Sequence, residues 1–79
     1  MDNIASLIYD TLIDLSNNAP EQHAKIRQNL YDQLDLPLNK QRDLYSNALG
    51  PASSGLLESN ADVNNTLNIA IKALETPEK

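Results

Sequence analysis

Residues 3–17 read NIASLIYDTLIDLSN, and the spacing of their apolar side chains decides the fold class. A strand would place apolar residues at every second position, whereas these recur at intervals of three and four, which brings them to one side of a helix. The cluster Ser16-Asn17-Asn18 then favours a turn. The stretch therefore predicts an amphipathic helix. The residues on its apolar side are Ile4, Leu7, Ile8, Leu12 and Leu15.

Three further segments toward the C-terminus repeat this helical spacing. The second helix is predicted to begin at Pro20, because proline suits the first turn of a helix. It ends near Asp35, since Pro37 forces the residue before it out of the α region. Asn39 is a favourable N-cap for a third helix that runs to about Leu49. The residues predicted to face inward on the third helix are Leu44, Tyr45, Ala48 and Leu49.

The last helix is predicted from Ser59 or Asn60 to about Glu75. Ser59 and Asp62 have the spacing of a capping box, with Asp in place of the usual Glu, and Pro77 ends the pattern. The residues on its apolar side are Val63, Leu67, Ala70, Ile71 and Leu74. Residues 50–58 allow two interpretations, a short helix with Ala52, Leu56 and Leu57 facing inward or a mobile loop.

These segments predict an all-α protein, a small antiparallel four-helix bundle whose third helix is broken or kinked near Gly50-Pro51. A chain of 79 residues can bury one core, so residues 1–79 are predicted to form a single helical domain. The sequence has no Phe, Trp or Cys. Leu and Ile must therefore fill the core, and neither disulfides nor thiolate metal sites can stabilise it.

The charge balance disfavours several classes of partner. Six basic residues stand against eleven acidic ones, which gives a net charge of −5. Nucleic acids and anionic membranes both attract basic proteins, so neither is an expected partner. Since no apolar stretch is long enough to cross a membrane and Met1-Asp2-Asn3 lacks the basic start of a leader, we expect no membrane insertion and a cytoplasmic location.

The sequence contains no recognisable motif of a catalytic, metal-binding or phosphate-binding site. His23 is the one histidine, and it falls on the apolar side of the second helix with Ile26, Leu30 and Leu34, as a core or boundary histidine does. Asp10 and Asp14 are four residues apart on the first helix, which is common on solvated helix faces. Two glycines cannot build a phosphate-binding loop. We therefore predict no enzyme, and no catalytic, metal-binding or cofactor-binding residues.

Tyr9 and Ile13 do not fit the main apolar side of the first helix, and Ile69 does not fit that of the last. In one interpretation the terminal helices are packed on two sides, and these residues belong to the core. In the other they form an exposed patch, and tyrosine is common in such patches because it combines a large apolar ring with a polar tip. We adopt the second interpretation as a hypothesis, with Tyr9, Ile13 and Ile69 as the partner-binding residues.

The function predicted from these features is that of a non-catalytic helical interaction module or regulator. It acts by binding another protein, or by binding itself as a homodimer. An alternative is an acidic neutralising protein of the immunity or antitoxin kind, which shields a basic effector. A third hypothesis is a DNA-binding regulator that uses helix 39–49, because the polar and basic run Asn39-Lys40-Gln41-Arg42 opens it.

Overall fold

The computed structural model describes residues 3–75, and throughout this range the regular elements are helices. The third helix of the bundle consists of three consecutive segments, of which the middle one is a π-helix. This confirms the predicted all-α architecture with a kinked third helix. The elements are α1 (Asn3–Asn17), α2 (Pro20–Leu34), α3 (Leu38–Leu44), π1 (Tyr45–Leu49), α4 (Gly50–Ser53) and α5 (Asn60–Glu75).

Local signals set the ends of α2. Only two residues separate α1 from α2, so the two helices pack as an antiparallel hairpin. At the other end Asp35 adopts a left-handed conformation with φ of 53°, and the Leu36 N–H donates to the Tyr31 carbonyl at 3.2 Å. This turn satisfies carbonyls at the end of the helix before Pro37 makes further helix impossible.

The third helix passes through Gly50-Pro51 without a break. The Gly50 N–H donates to the Tyr45 carbonyl five residues earlier, which is the hydrogen bond of a π-turn. Because Pro51 has no N–H and its ring would crowd the preceding turn, the wider turn accommodates it. The loop interpretation of residues 50–58 is therefore wrong for Gly50–Ser53, which is helical. The predicted N-cap is wrong, because the helix begins at Leu38 and its N-cap is Pro37, two residues before Asn39.

The predicted cap of α5 is present with a small change. The Asp62 N–H donates to Ser59 Oγ at 3.2 Å, as in a capping box. The reciprocal bond comes from the Glu58 N–H rather than from Ser59, and reaches Asp62 Oδ2 at 3.0 Å. Pro77, predicted to end this helix, lies outside the described residues.

The core draws on every helical segment. In it α1 lies between α2 and α5 and also contacts α4, while π1 packs against α5. Three residues predicted to face inward are instead exposed: Ile4, Tyr45 and Leu56. No helix within residues 3–75 is long and apolar enough to cross a membrane. The buried apolar residues are Ile8, Leu12, Leu15, Leu30, Tyr31, Leu44, Ala48, Leu49, Ala52, Val63 and Ala70.

Candidate functional site

The predicted partner-binding residues lie on α1 and α5, two helices that pack against each other. Tyr9 and Ile69 both reach the surface, with 37% and 39% of their area exposed. Ile13 differs from them because it is half-buried and packs against the core. Two of the three residues therefore offer apolar area to a partner, and Ile13 divides its contacts between core and surface. That the three act together as a binding patch stays a prediction.

Sequence reasoning missed a second apolar surface, which we call the third-helix groove. Its volume is about 250 Å³. Leu38 is 67% exposed and Tyr45 is 45% exposed, whereas Tyr31 beneath them is buried. The groove thus combines a buried aromatic floor with two exposed apolar side chains. Its lining residues are Tyr31, Leu38, Gln41, Arg42, Tyr45 and Ser46.

Arg27 of α2 lies beside this groove in a fixed position. Its guanidinium carbon is 5.1 Å from the centroid of the Tyr45 ring, within the range of a cation–π contact. Its Nη1 atom donates a hydrogen bond of 2.9 Å to Ser53 Oγ. Arg27 therefore joins α2 to both π1 and α4, and holds a positive charge over the face of Tyr45.

The pKa of the Tyr31 hydroxyl is raised, which favours its neutral form. Burial raises its pKa above the ordinary value of 10.0, the positive charge of Arg27 acts in the opposite direction, and Tyr45 adds a smaller increase. Because burial has the largest effect, Tyr31 is a neutral phenol at physiological pH. The groove then holds no negative charge of its own.

The two basic residues near the start of the third helix, Lys40 and Arg42, have different environments in the fold. Lys40 is buried, and its Nζ atom donates to the Ala73 carbonyl of α5 at 3.3 Å. Arg42 is exposed and lines the groove. A helix that reads DNA presents its cations outward, so the burial of Lys40 argues against the DNA-binding hypothesis for helix 39–49.

His23 is buried and stabilises the end of α1. Its Nε2 atom lies 2.9 Å from the Asn18 carbonyl, and because a carbonyl only accepts, Nε2 carries the proton. It borders an open groove of about 410 Å³, lined partly by Ser16, Ser53 and Ser54. In residues 3–75 no three His, Cys, Asp or Glu side chains lie close enough to hold a metal ion together. The geometry gives His23 a structural role.

Asp10 and Asp14 line a third groove, of about 200 Å³, between α1 and α2. Both carboxylates are exposed, as expected for a pair on a solvated face. In sequence each follows a residue of the predicted patch, Tyr9 or Ile13. The acidic side of α1 therefore adjoins the apolar residues proposed to meet a partner.

A comparison with protein families identifies the chain. The family model described as the Pas factor saposin fold matches residues 4–78, and the chain belongs to this family. No curated protein matches it. The family description gives a helical fold and assigns no catalytic activity. The protein is thus a small helical domain with a saposin-like fold.

Proposed function

We propose that this member of the Pas factor saposin-fold family is a non-catalytic helical domain that acts by binding another protein. The observation that carries the proposal is apolar area left at the surface of a chain whose core is already complete. Six large aliphatic side chains are fully buried, whereas Tyr9 and Ile69 keep more than a third of their area exposed. Exposed aromatic and aliphatic side chains that form one contiguous patch are typical of interaction surfaces.

The partner-binding surface in this proposal is the outer side of α1 and α5. Tyr9 and Ile69 supply exposed apolar area, and Ile13 supports Tyr9 from one helical turn away. Asp10 and Asp14 add negative charge next to this area. A mixed apolar and acidic surface on a chain of net charge −5 suits a basic protein partner. This charge favours the neutralising-protein hypothesis as the specific form of the function.

The experiment first identifies the partner and then measures its binding. A photo-crosslinking amino acid at position 9 captures the contacting protein in the native cell, and mass spectrometry identifies it. With that partner purified, Tyr9→Ala and Ile69→Ser should each weaken binding by about tenfold or more, as loss of a central interface residue does. Each should lower the free energy of unfolding in urea by less than about 1 kcal/mol, because both residues are partly exposed.

Leu56→Ser is the matched control, since Leu56 is an exposed leucine outside α1 and α5. It should leave binding unchanged. Equal binding by all three variants would show that the partner does not use α1 and α5. If His23→Gln abolishes a chemical activity in a protein that remains folded, the non-catalytic assignment is wrong.

A further inference from the structure

We propose that the third-helix groove is a second binding surface, which takes a segment of a partner protein that carries carboxylates beside an aliphatic side chain. The inference rests on the proposed function only in that the chain works by binding proteins. It uses a different part of the molecule, formed by α2, α3 and π1 rather than by α1 and α5.

The charge of the groove is opposite to that of the chain. Arg42 lines it, no carboxylate does, and Arg27 lies over the ring of Tyr45 at its edge. Arg42 therefore presents a guanidinium to the groove, and Arg27 adds a second positive charge next to its edge, in a protein whose net charge is −5. Arginine binds carboxylates through paired N–H donors, so the complementary ligand group is an Asp or Glu side chain.

The apolar part of the groove requires an apolar ligand group as well. Leu38 is 67% exposed and Tyr45 is 45% exposed, and neither belongs to the core cluster. A leucine left largely in water at the start of a helix contributes little to folding. An aliphatic side chain placed against Leu38 and Tyr45 would remove both from water and favour binding.

The Tyr45 side of the groove is held in place by contacts within the chain. Ser53 and Tyr45 fix Arg27 from two sides. The Tyr45 ring in turn lies close to Gly50, where a Cβ atom would be 3.3 Å from the ring carbon Cε2. Because these groups are ordered before binding, a ligand loses less free energy in fixing them.

A protein carboxylate fits this surface better than a nucleic-acid phosphate does. Extended phosphate backbones need several cations along one face, and Lys40, the nearest other cation on the same helix, is buried against α5. The acidic remainder of the chain would repel the rest of a nucleic acid. A short segment with one or two carboxylates needs fewer cations and extends over less of the acidic surface, so both difficulties are smaller for it.

The test uses fluorescence anisotropy with short labelled peptides and the full chain. The probe alternates Leu and Glu, one control peptide has Lys in place of Glu, and a second has Ser in place of Leu. The probe should bind, and each control peptide should bind at least about tenfold more weakly, because each lacks one of the two complementary groups. Binding of the probe should also weaken as salt concentration rises.

Matched variants locate the site. Arg42→Gln and Leu38→Ser should each weaken probe binding by about tenfold, since each removes one side of the recognition. Lys25→Gln removes an exposed cation elsewhere, and Leu56→Ser removes a leucine that is 64% exposed elsewhere, so both should bind the probe as the unmodified chain does. Circular dichroism checks that every variant keeps its helix content.

Three results of the binding assay would overturn the inference. They are absence of probe binding, equal binding of the Lys peptide, and binding of a single-stranded oligonucleotide at least as tight as that of the probe. A dimer in sedimentation that Leu38→Ser dissociates would also overturn it, because a second copy would then cover the groove. Tyr9→Ala should leave probe binding intact, so failure at the groove and failure at the α1–α5 surface are distinguishable.

Discussion

At the scale of single residues, Gly50 shows how closely the π-turn is packed. A Cβ atom at this position would lie 2.9 Å from the Tyr45 carbonyl oxygen, a backbone atom that cannot rotate away. In an ordinary helix interior alanine is more stable than glycine by about 1 kcal/mol. Here the contact reverses that preference, because either the π-turn or the ring of Tyr45 must shift.

We therefore expect Gly50→Ala to lower the free energy of unfolding by about 1–2 kcal/mol, as an overpacking substitution does. The control is Asn68→Ala at an exposed position of α5, which should raise it by about 0.5 kcal/mol through helix propensity alone. Urea denaturation measures both changes. If Gly50→Ala stabilises the chain, the third helix does not contain the tight turn described above.

A second residue-scale prediction concerns Tyr31 and alkaline pH. Its pKa is raised by burial, so the folded chain favours the neutral phenol more than the unfolded chain does. This contribution to stability is fully present below the unfolded pKa of about 10 and is lost as the pH rises through the folded value. The free energy of unfolding should therefore fall less steeply above pH about 10 in Tyr31→Phe than in the unmodified chain. Identical pH profiles would contradict the shift.

At the scale of the elements, helix ends that are set by nearby residues could be predicted from the sequence. Pro20, Pro37 and the Ser59 cap set helix ends within a residue or two, because proline geometry and capping act over a few neighbouring positions. Periodicity also predicts most of the core. It assigned Tyr45 to the core incorrectly, since the ring lies over Gly50 and under Arg27, contacts that helical spacing does not encode.

Of the two candidate surfaces, only one could be predicted, because helical spacing does not encode contacts between different helices. Tyr9 and Ile69 could be found because they depart from a helical stripe on regular helices. The third-helix groove could not, because it needs Arg27 from α2 beside Tyr45 from π1, residues that only the fold brings together. Its one sequence signal is Leu38, an apolar residue directly after Pro37.

Burial ranks the expected cost of core truncations within the helices. Leu30 is 1% exposed, whereas Leu67 of α5 is only half-buried. Leu30→Ala should cost about 2–5 kcal/mol, since it removes buried area and leaves a cavity. Leu67→Ala should cost clearly less, because solvent can occupy part of the space. Chemical denaturation of the two variants gives the comparison, and an equal cost would show that α5 is rotated from its described position.

At the scale of the whole molecule, one contiguous core joins all the helical segments, and it is buried within a single chain. Residues 1–79 should therefore unfold in one cooperative transition with an enthalpy of about 55 kcal/mol, the value typical of a domain of this size. Because no second copy is needed to cover the core, the melting temperature should not change over a tenfold range of protein concentration. Scanning calorimetry tests both expectations. Two transitions would mean that the chain is not one folding unit, and a melting temperature that rises with concentration would mean that a second copy completes the fold.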